Sequence, residues 1–242
     1  MQTMIHHMED CPKRIRVVFE GIYIIDTKRA KLVWEKPQYP TYFFPNNELP
    51  AWYLHNMRLI PDGALYDIAA GHKRAPNGLT KYSNPISPLE GFFKLDFNAM
   101  DAWFEEDEEI FVHPKDPYKR VDVLQSSRHV RIEINGLMVA ETRAPRMLYE
   151  TTLPPRTYIP QTDCQVELLV PSETTSRCPY KGEARYWNVQ LLNGEIIKDI
   201  AWSYRYPTLE SSSIRGYVCF YDEKVDMWVD GEKQARPATQ FA

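Results

Sequence analysis

VRIEINGLMVAET, residues 130–142, is the stretch that decides the fold. Apolar and charged residues alternate through Val130, Arg131, Ile132, Glu133 and Ile134, the period of a strand with one buried face. Asn135-Gly136 follows, a pair that favours a two-residue hairpin turn because both residues accept positive φ. Leu137–Glu141 then reads as the return strand. The same reading applies to IRVVFEGIYIIDT, residues 15–27, which aligns beneath it without a gap. Gly21 lies under Gly136, 115 positions away, and Asp26-Thr27 lies under Glu141-Thr142.

The 115-residue offset persists outward from this hairpin. Glu35 falls under Glu150, Pro40 and Pro45 under Pro155 and Pro160, and Phe43 under Tyr158. Towards the end of each copy the offset grows to 125, from Trp103 to Trp228, so the second copy is ten residues longer in its middle. Self-similarity of this kind marks a duplicated unit. The reading gives a flexible terminus over 1–13, a first repeat over 14–107, a linker over 108–128, a second repeat over 129–232 and a tail over 233–242. Further hairpins are expected from YWNVQLL through Asn193-Gly194 into EIIKDIAWSY, and from GYVCFY through Asp222-Glu223 into VDMWV. Short helical turns are expected only near 47–57 and 208–215. The fold class is all-β: two small antiparallel domains, expected to be related by internal two-fold pseudosymmetry within a monomer. The acidic run Glu105–Glu109 reads as solvated linker.

The composition suits this fold. Across 242 residues there are 15 Tyr, 10 Phe, 6 Trp and 19 Pro, which favour short strands and turns over long helices. The net charge of −4, with no basic stripe, makes nucleic acid an unexpected partner. No apolar run is long enough to span a membrane, and the first residues lack a secretory apolar core, so a cytoplasmic protein is expected. Four scattered cysteines, none in a CxxC pair, imply reduced thiols and no structural zinc. HExxH and GxSxG are absent.

Four segments carry a resemblance: AWFEEDEEIFVHPKDPYKRVDVLQSSRHVRI, ETTLPPRTYIP, CPYKGEARYW and DIAWSYRYP. They resemble the domain of unknown function 427 family, also called nucleotidyltransferase-like, which often occurs as two tandem copies. The resemblance implies a β-tent-like antiparallel fold. It also places the family motif in the second copy, at Cys178, Tyr180, Lys181, Gly182, Tyr186, Trp187 and Ala201–Tyr204. The first copy has ALYDIAAGHKRAPNGLTKY in place of CPYKG and reads as degenerate.

The candidate chemistry therefore lies in the second copy. Lys181 sits in a tight Pro-Tyr-Lys-Gly turn, where desolvation would make it a base, an anion anchor or a Schiff-base former. Glu150, flanked by apolar residues, is a candidate general acid or base. Tyr158 is the third catalytic candidate. Trp202, Tyr204, Tyr180, Trp187 and Arg131 are the candidate substrate-binding residues, although aromatics at strand spacing also serve as core. Cys178 has no histidine near it in sequence and reads as a structural thiol. The expected function is a small-molecule enzyme that needs no metal or redox cofactor and runs acid–base chemistry of isomerase, lyase or cyclase type. A non-catalytic binding module and a nucleotidyltransferase are the alternatives.

Overall fold

A computed structural model describes residues 5–239, and the chain divides into two compact units between Asp116 and Pro117. The outermost parts of the expected tails, 1–4 and 240–242, lie outside the described residues. The first unit comprises β1 (His7–Asp10), β2 (Ile15–Phe19), β3 (Ile22–Thr27), β4 (Lys31–Lys36), β5 (Tyr39–Pro45), β6 (Leu54–Ile60), β7 (Gly63–Ala70), β8 (Lys73–Tyr82), β9 (Phe92–Leu95), β10 (Ala102–Glu105) and β11 (Glu108–Ile110). The second comprises β12 (Val121–Gln125), β13 (Val130–Ile134), β14 (Leu137–Thr142), β15 (Arg146–Glu150), β16 (Arg156–Pro160), β17 (Leu169–Cys178), β18 (Gly182–Gln190), β19 (Ile196–Pro207), β20 (Tyr217–Phe220), β21 (Asp226–Val229) and β22 (Glu232–Lys233).

The two units repeat one topology. Each has a seven-stranded sheet, ordered β1-β4-β5-β9-β8-β7-β6 in the first and β12-β15-β16-β20-β19-β18-β17 in the second. Each also has a four-stranded sheet, β11-β10-β2-β3 and β22-β21-β13-β14 respectively. The strand alternation read from the sequence decides the packing. Val130, Ile132 and Ile134 point inward from the small sheet and join Ile159, Val218 and Phe220 of the large sheet in one core. Ile15, Val17 and Phe19 do the same with Phe44, Leu79 and Phe93. Each such side chain contributes roughly 1.5–3 kcal/mol by leaving water. The Asn135-Gly136 turn has positive φ at both residues, 51° and 80°, as the hairpin requires. Among the described residues no helix is long and apolar enough to cross a membrane.

Several local expectations are corrected. His7–Asp10 and Val121–Gln125, read as terminus and linker, are edge strands. They occupy equivalent places, with His7 opposite Trp34 and Asp122 opposite Tyr149. The acidic run is likewise no loose linker: Glu105 faces Glu108 across a hairpin. Two of its carboxylates are engaged within the first unit, Glu105 by Lys13 and the Tyr42 hydroxyl (2.6 Å), and Asp107 by Arg16 (2.7 Å). Helical character near 47–57 stops at two single turns, Asn46–Glu48 and Ala51–Tyr53, before β6 begins. The expected turn over 208–215 is present at Leu209–Ile214. Asn193-Gly194 belongs to a longer turn, in which the Leu191 N–H donates to the Glu195 carbonyl and Gly194 alone takes positive φ. The expected Asp222-Glu223 hairpin does not form, because β20 joins the large sheet and β21 the small one.

The Trp103–Trp228 equivalence is also one residue out of register. Val17 faces Trp103, whereas its counterpart Ile132 faces Met227. A slip of one position reverses the face. Trp103 accordingly points into the core against Phe97, while Trp228 points outward beneath the Arg131 guanidinium.

Candidate functional site

The outer face of the second unit's large sheet carries most of the candidate residues. By the period of two, Tyr158 on β16, Cys219 on β20, Trp202 and Tyr204 on β19 and Ala184 on β18 share that face and form a buried cluster with Leu148 and Ile214. The Trp202 indole N–H donates to the Tyr158 hydroxyl at 3.3 Å, and the Trp202 ring lies 4.6 Å from that of Tyr221. Burial pushes the phenols of Tyr158 and Tyr204 and the thiol of Cys219 well above their ordinary ranges. Tyr158 therefore keeps its proton and works as a neutral hydrogen-bonding hydroxyl rather than as a phenolate base.

One end of this face is cationic. The CPYKG turn closes where Cys178 pairs with Gly182, and the Lys181 carbonyl accepts the Thr208 N–H at 3.2 Å. Gly182 has φ +99°, and a Cβ there would lie 2.9 Å from the Tyr206 carbonyl oxygen, so this corner requires glycine. The Thr208 and Ser211 hydroxyls both donate to the Tyr180 carbonyl, at 2.5 and 3.0 Å, which anchors the turn. So held, the Lys181 ammonium donates to the Glu150 carboxylate at the end of β15. A second ammonium, from Lys119, lies 3.6 Å from the other Glu150 oxygen and 5.6 Å from the centre of the Tyr180 ring. Only 5% of the Glu150 side chain is exposed, and 13% and 14% of Lys181 and Lys119. Two half-buried cations thus share one buried carboxylate.

A second charged cluster on this face, centred on Arg156, was not anticipated. Arg156 makes a forked contact with Glu223 at 2.8 and 2.7 Å, approaches Asp222 at 3.5 Å, and places its guanidinium 5.7 Å from the Trp202 ring centre. Burial pushes the Asp222 carboxyl up to about 7, against the pull of Arg156. Glu223 is held down at about 2: its bonds from Arg156 and Thr239 outweigh an opposing burial effect. An Asp-Glu pair between Tyr221 and Lys224 was the available signal, but it reads equally well as a turn.

The first unit carries a counterpart that the sequence comparison hid. Strand register makes Tyr82 the equivalent of Tyr204, since each stands two residues beyond the position that pairs with Lys94 or Cys219. The turn equivalent to CPYKG is Ile60-Pro61-Asp62-Gly63, whose Asp62 carbonyl accepts the Ser83 N–H as Lys181 accepts that of Thr208. Asp62 thus stands where Lys181 would be. Yet Glu35, the counterpart of Glu150, is still paired: Lys94, at the Cys219 position, donates to both of its oxygens at 2.6 and 2.7 Å, and Tyr82 donates at 3.4 Å. The first copy has lost the motif but retains a carboxylate–ammonium–tyrosine cluster.

A family profile described as a domain of unknown function, DUF427, matches residues 7–106 and again 122–231. The chain belongs to this family. No curated protein matches the sequence. The two DUF427 copies coincide with the two structural units, and each match includes the edge strand missed above, β1 or β12.

Within the second DUF427 copy the structure brings together Lys181, Glu150, Tyr180, Tyr204, Tyr158 and Trp202. It does not bring Arg131 to them. Arg131 stands on the outward face of the small sheet, 4.6 Å from the Trp228 ring centre and 3.1 Å from Glu133, because its neighbours Val130 and Ile132 take the inward positions. Trp187 is half-buried beside the inner core, and its N–H donates to the Ser203 hydroxyl at 3.0 Å. Cys178 is a half-buried free thiol at the mouth of the turn. Among the described residues, no three His, Cys, Asp or Glu side chains converge as they would to hold a metal ion.

Proposed function

We propose that the second DUF427 copy is an acid–base enzyme that binds a small anionic molecule at Lys119, Lys181 and Glu150 and moves a proton on it. One observation carries this reading: two ammonium groups share a single buried carboxylate, whereas the first copy pairs one ammonium with one carboxylate. A surplus cation in a low-dielectric surrounding is satisfied by an anionic ligand. With that ligand seated, Glu150 is the proton acceptor and the Lys181 ammonium the donor, the pairing needed for elimination, isomerisation or ring closure. The buried, protonated Tyr158 and Tyr204 hydroxyls stand behind the pair as neutral polar groups. Such proton transfers are worth on the order of 10²–10⁴ in rate.

The test is to incubate the protein with a desalted small-molecule cell extract and follow its components by mass spectrometry. An anionic component should be consumed by the wild type and spared by Glu150→Gln and Lys181→Ala, each shown by circular dichroism to be folded. Equal consumption by all three proteins would refute the assignment. A component retained by the protein but never converted would replace it with a pure binding role, and no observation favours nucleotidyl transfer over either.

A further inference from the structure

The second unit's large sheet borders a further cavity of about 480 Å³, lined among others by Arg185, Arg205, Arg215, Trp187 and Ser172, and by Tyr204, which also belongs to the cluster described above. Its position follows from register. Arg185 on β18 faces Ser203 on β19, and Arg205 lies two residues along the same strand on the same side. Trp187 shares this side two residues from Arg185, with its N–H tied to Ser203. Arg215 enters from the loop before β20, beside Gly216, whose carbonyl accepts the Gln161 N–H at 3.0 Å. Glu150 and Lys181 belong to the opposite face.

Charge distinguishes this cavity. Among the described residues none of these three exposed arginines lies within ion-pair distance of a carboxylate, as holds also for Arg143 and Arg146, and Arg205 and Arg215 lie 5.5 and 6.0 Å from the Tyr206 ring centre. The acid at the Ser172 rim, Asp199, accepts hydrogen bonds from the Ser172 and Thr174 hydroxyls at 2.5 and 2.9 Å. The first unit lacks the arrangement. Its register equivalents of Arg185 and Arg215 are Ala64 and Glu90, the latter preceding Gly91 as Arg215 precedes Gly216.

We propose that this cavity binds a small phosphate ester bearing an aromatic ring. Three guanidinium groups supply planar forks that match phosphate geometry and do not titrate near neutral pH. The Trp187 ring, its N–H already used, supplies apolar surface for a flat group, and a pocket with an aromatic wall and a few polar anchors is the usual form of a small-molecule site. The cavity volume accommodates a ligand of mononucleotide size.

The experiment is isothermal titration of the full chain with phenyl phosphate, adenosine 5′-monophosphate, phenol and inorganic phosphate at fixed ionic strength. At least one of the two esters should bind more tightly than either phenol or inorganic phosphate. The exposed positions allow Arg185→Ala and Arg215→Ala without loss of fold. Each should weaken ester binding by about tenfold, the effect of one charge-assisted contact. Arg177→Ala, the same charge change outside the cavity, should leave it unaltered. The proposal is overturned if neither ester binds, if inorganic phosphate binds as well as the esters, or if Arg177→Ala weakens binding as much as the cavity variants do.

Discussion

Asp222→Asn should stabilise the protein, and more at pH 8 than at pH 5.5. The wild-type carboxyl sits at about 7 in the fold against 3.8 for the free group, a rise caused first by burial. A carboxyl raised in this way binds more protons folded than unfolded between the two values. Stability therefore falls as pH rises from about 4 to about 7, and the penalty is complete above that window. With about 1.4 kcal/mol per pKa unit, linkage gives a penalty of roughly 2 kcal/mol at pH 5.5 and roughly 4 kcal/mol at pH 8. Asparagine keeps the shape and cannot ionise, so the variant's advantage should grow by about 2 kcal/mol across that range. For a chain of this size this corresponds to a differential rise in Tm of roughly 4–8 °C. Glu223 does not confound the window. Its depressed value makes a contribution present above about 4.5 and lost only as pH falls towards 2. Calorimetric unfolding at both pH values and equal ionic strength measures the difference. A variant that tracks the wild-type pH slope, or loses more stability at pH 8, would show that Asp222 is ionised without strain.

Two further outcomes follow from the same structure. Glu150→Ala leaves Lys119 and Lys181 facing each other without a carboxylate and should cost about 3–5 kcal/mol, whereas Lys181→Ala leaves Glu150 with Lys119 and should cost less; urea unfolding of both variants tests the order, and its reversal contradicts the shared-carboxylate geometry. Trp103→Ala should cost about 3–5 kcal/mol and Trp228→Ala under about 1 kcal/mol, because only the former fills the core; equal losses would restore the direct Trp103–Trp228 equivalence.

The fold was legible where a residue's neighbours in sequence decide its face. Alternation in VRIEI and the Asn135-Gly136 turn needed nothing beyond local chemistry, and the offset to residues 15–27 then implied the second unit. Legibility failed where a partner strand decides. His7–Asp10 and Val121–Gln125 are edge strands with little apolar pattern, and their pairing with β4 and β15 leaves no mark in their own residues. Asp222-Glu223 is as compatible with a hairpin as with a crossing between sheets. The Trp103–Trp228 slip arose because matching a conspicuous residue outweighed matching its register. At the site, Lys181 stood out through its turn motif and Glu150 through its apolar flanks, but their contact is set only by the fold. Lys119, Arg156 and Asp222 were not anticipated, since they arrive from three separate segments and only the folded sheet sets them around Tyr158 and Cys219.

The first unit shows which part of this arrangement calls for a functional explanation. A glutamate at the end of the second strand of the large sheet is paired with a lysine ammonium in both units, and a carboxylate with little access to water is stabilised by such a partner. The first unit supplies Lys94 from the sheet interior, and the second Lys181 from a turn, while the position of Lys94 becomes Cys219. Because two different lysines solve one electrostatic problem, the pair alone is accounted for by folding. What folding does not require is the second ammonium of Lys119. Bringing another cation to a half-buried position costs desolvation free energy that one shared carboxylate offsets only in part. Under the function proposed above an incoming anion would offset the remainder, so that proposal turns on Lys119 more than on the motif lysine.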